Sequence, residues 1–271
     1  MYSLKDFIRI ALEEDLGDTM SDHTSLATIP TDETGKAQLL IKDMGVLAGI
    51  DVACEIFNIV DPSLQVTISL HDGNHVDIGE EAFVVEGSVH SILKAERLVL
   101  NVMQRMSAIA TKTHHVVEII KPFGCKVLDT RKTTPGMRLI EKEAVRIGGG
   151  VSHRAGLYDM ILIKDNHVDY AGGVDAAIMN TRNYLNKEGL TLPVVIETRS
   201  IKEVEAVLEI GGVDRILLDN FSPERIAKAV TLIDGKFPTE ASGGITEDNC
   251  EEYARAGTDF ISMGALTHTV K

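Results

Sequence analysis

The sequence predicts an α/β plus α+β protein: an N-terminal α+β domain followed by a reduced, open α/β barrel of about six or seven parallel strands. Three observations carry this. The texture changes at Cys125, from mixed elements to short apolar runs alternating with helical patterns. Six such runs read as strands: Lys126–Leu128, Met160–Ile163, Val194–Ile196, Arg215–Leu218, Pro238–Ala241 and Phe260–Ser262. Each is followed by polar, charged or glycine residues, as when barrel strand ends converge on one mouth; a doubly wound sheet would concentrate its chemistry at one or two switch points. The stretch 125–266 is also short against the roughly 250 residues of an eight-stranded barrel, hence a reduced one.

Element by element, residues 3–14 read as an amphipathic helix with Leu4, Phe7, Ile8 and Leu12 on one face. A second helix is expected over 46–57, and strands over 65–70 and 82–89, with turn chemistry at 71–74 and Gly79. A long helix over 91–120 carries Leu98, Val102, Ile109, Thr113, Val116 and Ile120 in one stripe and stops at Pro122 and Gly124. Ser200 with Glu203 forms the pattern of a capping box, with Gly211 and Gly212 closing that helix. Ser222 and Pro223 open the next helix and Gly235 ends it; Thr246 and Gly257 bound another.

Composition narrows the function classes. The 271 residues hold 27 Lys and Arg against 41 Asp and Glu, a net charge of −14 that argues against a general nucleic-acid binder. No apolar run reaches the roughly 18 residues of a membrane span, and Lys5, Asp6 and Arg9 spoil a signal peptide. Cys54, Cys125 and Cys250 are too scattered for a disulfide framework or zinc knuckle and suit a reducing, cytoplasmic setting. Residues 94–154 nevertheless carry 12 basic and five acidic side chains, while the rest of the chain carries 15 and 36. A basic island in an acidic chain points to an anionic visitor. His71 and His75 lie in a turn-rich stretch that makes a poor metal site, and His114–His115 read as surface histidines.

The residues behind the strand runs sort by charge. Arg131, Lys132, His153, Arg154 and Lys164 are cationic or able to become so, and suit phosphates and carboxylates. Glu197 and Asp219 come from neighbouring strands and suit Mg²⁺, sugar hydroxyls or a developing carbocation. Ser242-Gly243-Gly244 and Gly264, each before a short helix, resemble a phosphate site built of backbone N–H groups. The set fits a phosphorylated sugar reacting with an acidic small molecule; an ion-pair network is the structural alternative. No Gly-x-Gly-x-x-Gly, Walker loop or His-Glu-x-x-His is present.

Longer motifs carry a resemblance. Asp129-Thr-Arg-Lys-Thr-Thr-Pro-Gly-Met-Arg138, Gly148-Gly-Gly-Val-Ser-His-Arg154, Leu162-Ile-Lys-Asp-Asn-His167, Leu218-Asp-Asn220, Glu240-Ala-Ser-Gly-Gly-Ile245 and Ile261-Ser-Met-Gly-Ala-Leu-Thr-His268 resemble quinolinate phosphoribosyltransferase. So do Glu14-Asp-Leu-Gly17, Gly45-Val-Leu-Ala-Gly49 and Ala95–Arg105. The resemblance implies a TIM-like barrel behind an α+β domain, divided here as 1–108, 109–266 and a segment 267–271 returning toward the first domain. It implies transfer from phosphoribosyl pyrophosphate to quinolinate with Mg²⁺, yielding nicotinate mononucleotide, pyrophosphate and CO₂. By motif, Arg131, His153 and Arg154 would hold the quinolinate carboxylates with Lys132 close by, and Lys164 would contact phosphate or carboxylate. Glu197 and Asp219 would face the ribose and the metal-bound pyrophosphate. Ser242, Gly243, Gly244 and Gly264 would take the 5′-phosphate. Arg105 would complete the partner's site in a homodimer or a higher oligomer. The pattern departs at Ser107-Ala-Ile-Ala-Thr111, where the family has Ser-Gly-Ile-Ala-Thr, and at Ser152, where it has Asn. A related transferase of molybdenum-transport operons is the nearest other reading. A non-catalytic phosphate-binding barrel would keep Ser242–Gly244 but need no Arg131, Glu197 or Asp219.

Overall fold

The computed structural model describes residues 3–270; residues 1, 2 and 271, which the sequence divisions 1–108 and 267–271 include, lie outside the described residues. Two compact units form, and they interleave along the chain. The first takes the chain up to His114, residues 133–149 and the chain from Thr267; the second takes His115–Lys132 and Gly150–Leu266. This differs from a single cut at 108/109, because 133–149 packs with the first unit.

In the first unit, α1 (Leu4–Leu16) buries Phe7, Ile8 and Leu12, and Ser3 and Asp6 close a capping box at its start. Then follow α2 (His23–Thr28), β1 (Thr34–Leu40), β2 (Gly45–Val46), α3 (Ile50–Val60), β3 (Gln65–Ile68), β4 (His75–Val76), β5 (Glu81–Ser88) and α4 (Val89–Ile120). β1, β5 and β3 make an antiparallel sheet with β5 central. The sequence reading passes over β1, and the structure shows why: Thr34–Leu40 has no fully buried residue, so no alternation marks it.

The second helix starts at Ile50, four residues later than expected, because 45–49 is clamped to α4. Thr111 Oγ1 accepts from Val46 N–H at 2.9 Å, and Ser107 Oγ accepts from Ala48 N–H at 3.0 Å. Gly49 has φ +106°, and a Cβ there would lie 3.2 Å from the Met103 backbone. Asp72, 22 residues away, accepts from Ile50 N–H at 2.8 Å and caps α3. His114 is half-buried and meets His75 edge-on at 4.5 Å between ring centroids, so it is not a plain surface histidine. α5 (Arg138–Ile147) packs so closely on α4 that a Cβ at Gly148 would lie 2.4 Å from Ala110 O.

The second unit holds β6 (Lys126–Leu128), β7 (Ile161–Ile163), α6 (Asp165–Ala171), α7 (Val174–Glu188), β8 (Val194–Thr198), α8 (Ile201–Ile210), β9 (Arg215–Asp219), α9 (Pro223–Ile233), β10 (Thr239–Ser242), α10 (Cys250–Arg255) and β11 (Phe260–Ser262), and α11 (Ala265–His268) follows. All six strands fall on the expected runs. They form one parallel sheet in the order β6-β11-β10-β9-β8-β7. A parallel bridge from Leu128 to Val151 adds a seventh position beyond β6. Among the described residues nothing pairs that position with β7, so the curled sheet is open there.

Helix ends depart in detail. Ser200 caps α8, but the Glu203 carboxylate accepts from Arg199 N–H at 2.5 Å, so the expected box is not closed. Asp234 (φ +50°), not Gly235, caps α9. α10 begins only at Cys250, because Thr246 N–H donates to Asn249 Oδ1 at 2.8 Å in a turn ahead of the helix, and Ala256 rather than Gly257 is its C-cap.

Candidate active site

Strand register brings the carboxylates together. Glu197 on β8 lies opposite Leu217, two residues before Asp219 on β9, so both side chains leave the same face of the sheet. Glu197 is buried, and the half-exposed Lys164 at the N-cap of α6 places its Nζ 3.8 Å from Glu197 Oε2. Burial first, then the Asp219 charge, push the Glu197 carboxyl above its usual range, against the pull of Lys164. Burial also pushes Asp219 up, opposed by the hydrogen bond from Asn220 Nδ2 (2.6 Å) and the charges of Lys164 and Lys132. Two carboxylates that resist ionising side by side form a place where positive charge is welcome. Their hard oxygens are of the kind that Mg²⁺ takes. Among the described residues no group of three metal-ligating side chains exists.

The cationic side of the site follows β6 and the Val151 bridge. Arg154 is buried, and burial followed by the nearby Arg131 charge pushes its guanidinium below the usual range. Two guanidiniums kept close against their repulsion suit an anion between them. The exposed Lys132 follows them, its N–H donating to Thr130 Oγ1 at 3.0 Å. His153 is held on three sides. Its N–H donates to Asp129 Oδ1 at 2.8 Å, its Nδ1 accepts from Arg154 N–H at 2.7 Å, and its Nε2 lies 3.4 Å from Glu240 Oε2.

The glycine turn sits where β10 ends. Ser242 lies opposite Asp219 in register, and Asn220 N–H donates to Ser242 O at 2.8 Å. Gly243 has φ +96°, and a Cβ there would lie 2.2 Å from Asn220 Oδ1, so this position tolerates only glycine. Gly244 (φ +64°) has open space around it, and its carbonyl accepts from Asn249 Nδ2 at 3.1 Å. The glycine pair is therefore not at a helix N-terminus, as the sequence suggests; Gly264 does directly precede α11.

Arg105 belongs to the other unit. Its Nε and Nη2 donate to Glu141 Oε1 at 3.0 and 2.9 Å, and its Nη2 also donates to Thr267 O. Glu141 is wholly buried on α5, and its Oε2 accepts from Thr134 N–H at 3.1 Å. Sequence reasoning misses Glu141 as it misses Asp129, Arg215 and Glu240. For Glu240 a signal exists, since it is the one charged residue inside an otherwise uncharged strand. A cleft of about 360 Å³ beside β7, lined by Leu157, Ile161, Ile163, Ala177 and others, shares only Arg154 with the anion-binding set.

Known proteins match this chain along nearly its whole length. The model of the quinolinate phosphoribosyl transferase N-terminal domain matches residues 22–107, and that of the C-terminal domain matches residues 109–271. The chain belongs to the quinolinate phosphoribosyl transferase family. Quinolinate phosphoribosyltransferase [decarboxylating] 1b of Nicotiana tabacum is 46% identical over 100% of this chain and 80% of its own length. Nicotinate-nucleotide pyrophosphorylase [carboxylating] of Mycobacterium leprae is 38% identical over 98% of this chain and 94% of its own. The crystal structure of NadC from Streptococcus pyogenes superposes with a TM-score of 0.92 at 37% identity, covering 99% of this chain and 93% of that one. Family membership accounts for the open six-stranded parallel sheet.

Proposed function

We propose that this chain transfers the phosphoribosyl group of phosphoribosyl pyrophosphate to quinolinate, with loss of CO₂, giving nicotinate mononucleotide and pyrophosphate. The observation that carries this reading is the buried Arg154 close to Arg131, in the same unit as two carboxylates raised by burial, Glu197 also by the charge of Asp219. Quinolinate brings two carboxylates to the cations, and the ribose brings a developing positive charge to Glu197 and Asp219.

The pyridine nitrogen attacks C1 of the ribose as pyrophosphate leaves, through an oxocarbenium-like transition state. Glu197 and Asp219 stabilise that positive sugar. Lys164 balances Glu197 while the site is empty and meets phosphate or carboxylate when it is filled. Lys132 lies close to the quinolinate carboxylates beside Arg131. Ser242, Gly243, Gly244 and Gly264 hold the 5′-phosphate. The C2 carboxylate then leaves as CO₂, the electron pair of the broken C–C bond stays on C2 beside the quaternised nitrogen that stabilises it, and a proton from water forms the C2–H bond of the product. Arg131, Arg154 and the His153 turn keep the ring aligned. Glu197 and Asp219 would hold Mg²⁺, directly or through water, and its charge would stabilise the leaving pyrophosphate.

We further propose a homodimer, or a higher oligomer of such dimers, in which Arg105 serves the partner's site. Glu141 steers Arg105 through Nε and Nη2, while Nη1 makes a long contact of 3.5 Å to Val270 O. The cytoplasm is the proposed compartment. Among the described residues no helix is long and apolar enough to cross a membrane.

Pyrophosphate release tests the activity. It should require quinolinate, and nicotinate should support it at least about 100-fold less well in kcat/KM, because one carboxylate leaves buried cations unpaired. Equal rates with both acids would remove the reading. Release without any pyridine acid would favour a different acceptor.

A further inference from the structure

Inside the curled sheet, two residues before Ser242, stand a buried carboxylate and its arginine that this mechanism does not use. Glu240 on β10 is wholly buried, and its Oε2 accepts from Arg215 Nη1 at 2.9 Å. Arg215, at the start of β9, lies over the Phe260 ring at 4.5 Å from the centroid. Oε2 also faces His153 Nε2 at 3.4 Å, while Glu240 Oε1 has no hydrogen-bond partner among the described residues. A carboxylate buried with an oxygen unsatisfied costs stability, and an apolar residue would fill a strand interior better.

The hydrogen bonds around His153 say what the carboxylate is for. Nδ1 accepts the N–H of Arg154, so Nδ1 carries no proton and the ring is neutral, with its hydrogen on Nε2. That nitrogen lies 3.4 Å from Glu240 Oε2. Because Arg215 already balances the Glu240 charge, Oε2 accepts a hydrogen bond without drawing a second proton onto the ring. Asp129 fixes the same residue from its backbone side. The His153–Arg154 step is thus pinned at three points, and the guanidinium of Arg154 takes its position from that step.

We propose that Glu240, braced by Arg215, is a positioning residue that holds His153 as the neutral Nε2–H tautomer and so aims Arg154 into the anion site. The positive charge that meets the substrate then comes from the arginines and lysines and not from His153. The effect on quinolinate binding rests on the function proposed above; the tautomer does not.

The test uses ¹⁵N-histidine-labelled full-length protein, with His153 among the nine histidines assigned by the loss of its signals in His153→Gln. Wild type should show a neutral ring protonated on Nε2 at neutral pH. Glu240→Gln keeps an acceptor oxygen and should keep the tautomer. Glu240→Met removes the acceptor and should mix the tautomers and raise KM for quinolinate roughly 10-fold, the loss set by one buried hydrogen bond, with kcat and KM for phosphoribosyl pyrophosphate nearly unchanged. A wild-type ring that is cationic or protonated on Nδ1 overturns the proposal, as does a folded Glu240→Met protein with unaltered tautomer and KM. If Glu240→Met fails to fold, the wild-type and Glu240→Gln spectra decide. Loss of the expected tautomer in either overturns the proposal. A correct tautomer in a protein inactive on quinolinate would instead sink the proposed substrate.

Discussion

Glu197 and Asp219 oppose the folding of the chain that needs them. Burial raises both carboxyls, so the folded state holds their protons more tightly than the unfolded chain does. Their neutral forms therefore favour folding at low pH, and that advantage disappears as pH rises through the raised values. Glu197→Gln or Asp219→Asn should melt at a higher temperature than wild type at pH 8, and the gap should shrink toward pH 4. Calorimetry across that range checks the sign. The same variants should lose roughly 100-fold or more in kcat with a smaller change in KM, because the charge serves the transition state. The acid limb of wild-type kcat/KM should lie above the ordinary carboxyl values of 4.5 and 3.8.

Gly243 makes a second case at this scale. Its φ of +96° and the Asn220 oxygen 2.2 Å from where a Cβ would stand leave no room for alanine. Gly243→Ala should cost about 1–3 kcal/mol of stability and raise KM for phosphoribosyl pyrophosphate more than KM for quinolinate. Gly244→Ala meets no atom within 4 Å and carries only its backbone strain at φ +64°. Equal melting temperatures and KM values in wild type and Gly243→Ala would contradict this.

At the scale of elements, α4 acts as the spine of the first unit. Ser107 and Thr111 accept backbone N–H groups from 46–48, which turns that stretch from expected helix into a strand and a clamp. Thr111→Val keeps the shape and removes the acceptor, so urea unfolding should show a loss of about 1 kcal/mol. Thr111→Ser should retain most of the stability. In the second unit the strands were legible because their apolar runs are bounded by polar strand ends. α5 was not, because its contacts with α4 come from far along the chain.

For the whole molecule, the prediction concerns sharing between subunits. Arg105 is paired with Glu141 of its own chain, yet the proposed dimer places it in the neighbouring site. Inactive Arg105→Ala and Lys132→Ala chains, mixed and allowed to exchange, should regain up to about half the activity of a wild-type dimer per heterodimer. One site then carries both lesions and the other carries none. If Arg105 acts only within its own chain, each site keeps one lesion and mixing restores nothing. The basic island between Lys94 and Arg154 is the charge pattern that two anionic substrates require in a chain with a net charge of −14.

By itself the sequence determined the strand runs, the charged and glycine residues that end them, and the family motifs, because these are local in the chain and repeat with a period. Periodicity reports which face is buried, and turn residues report where the backbone must bend. Only the tertiary structure decided which charges meet. Glu240 finds Arg215 and His153 from 25 and 87 positions away, and Glu141 finds Arg105 from 36. A buried charge is tolerated only where a distant partner arrives to satisfy it, and no local pattern records that partner. The tautomer of His153 is of the same kind: it is set by the N–H of Arg154 on one side of the ring and a carboxylate from another strand on the other.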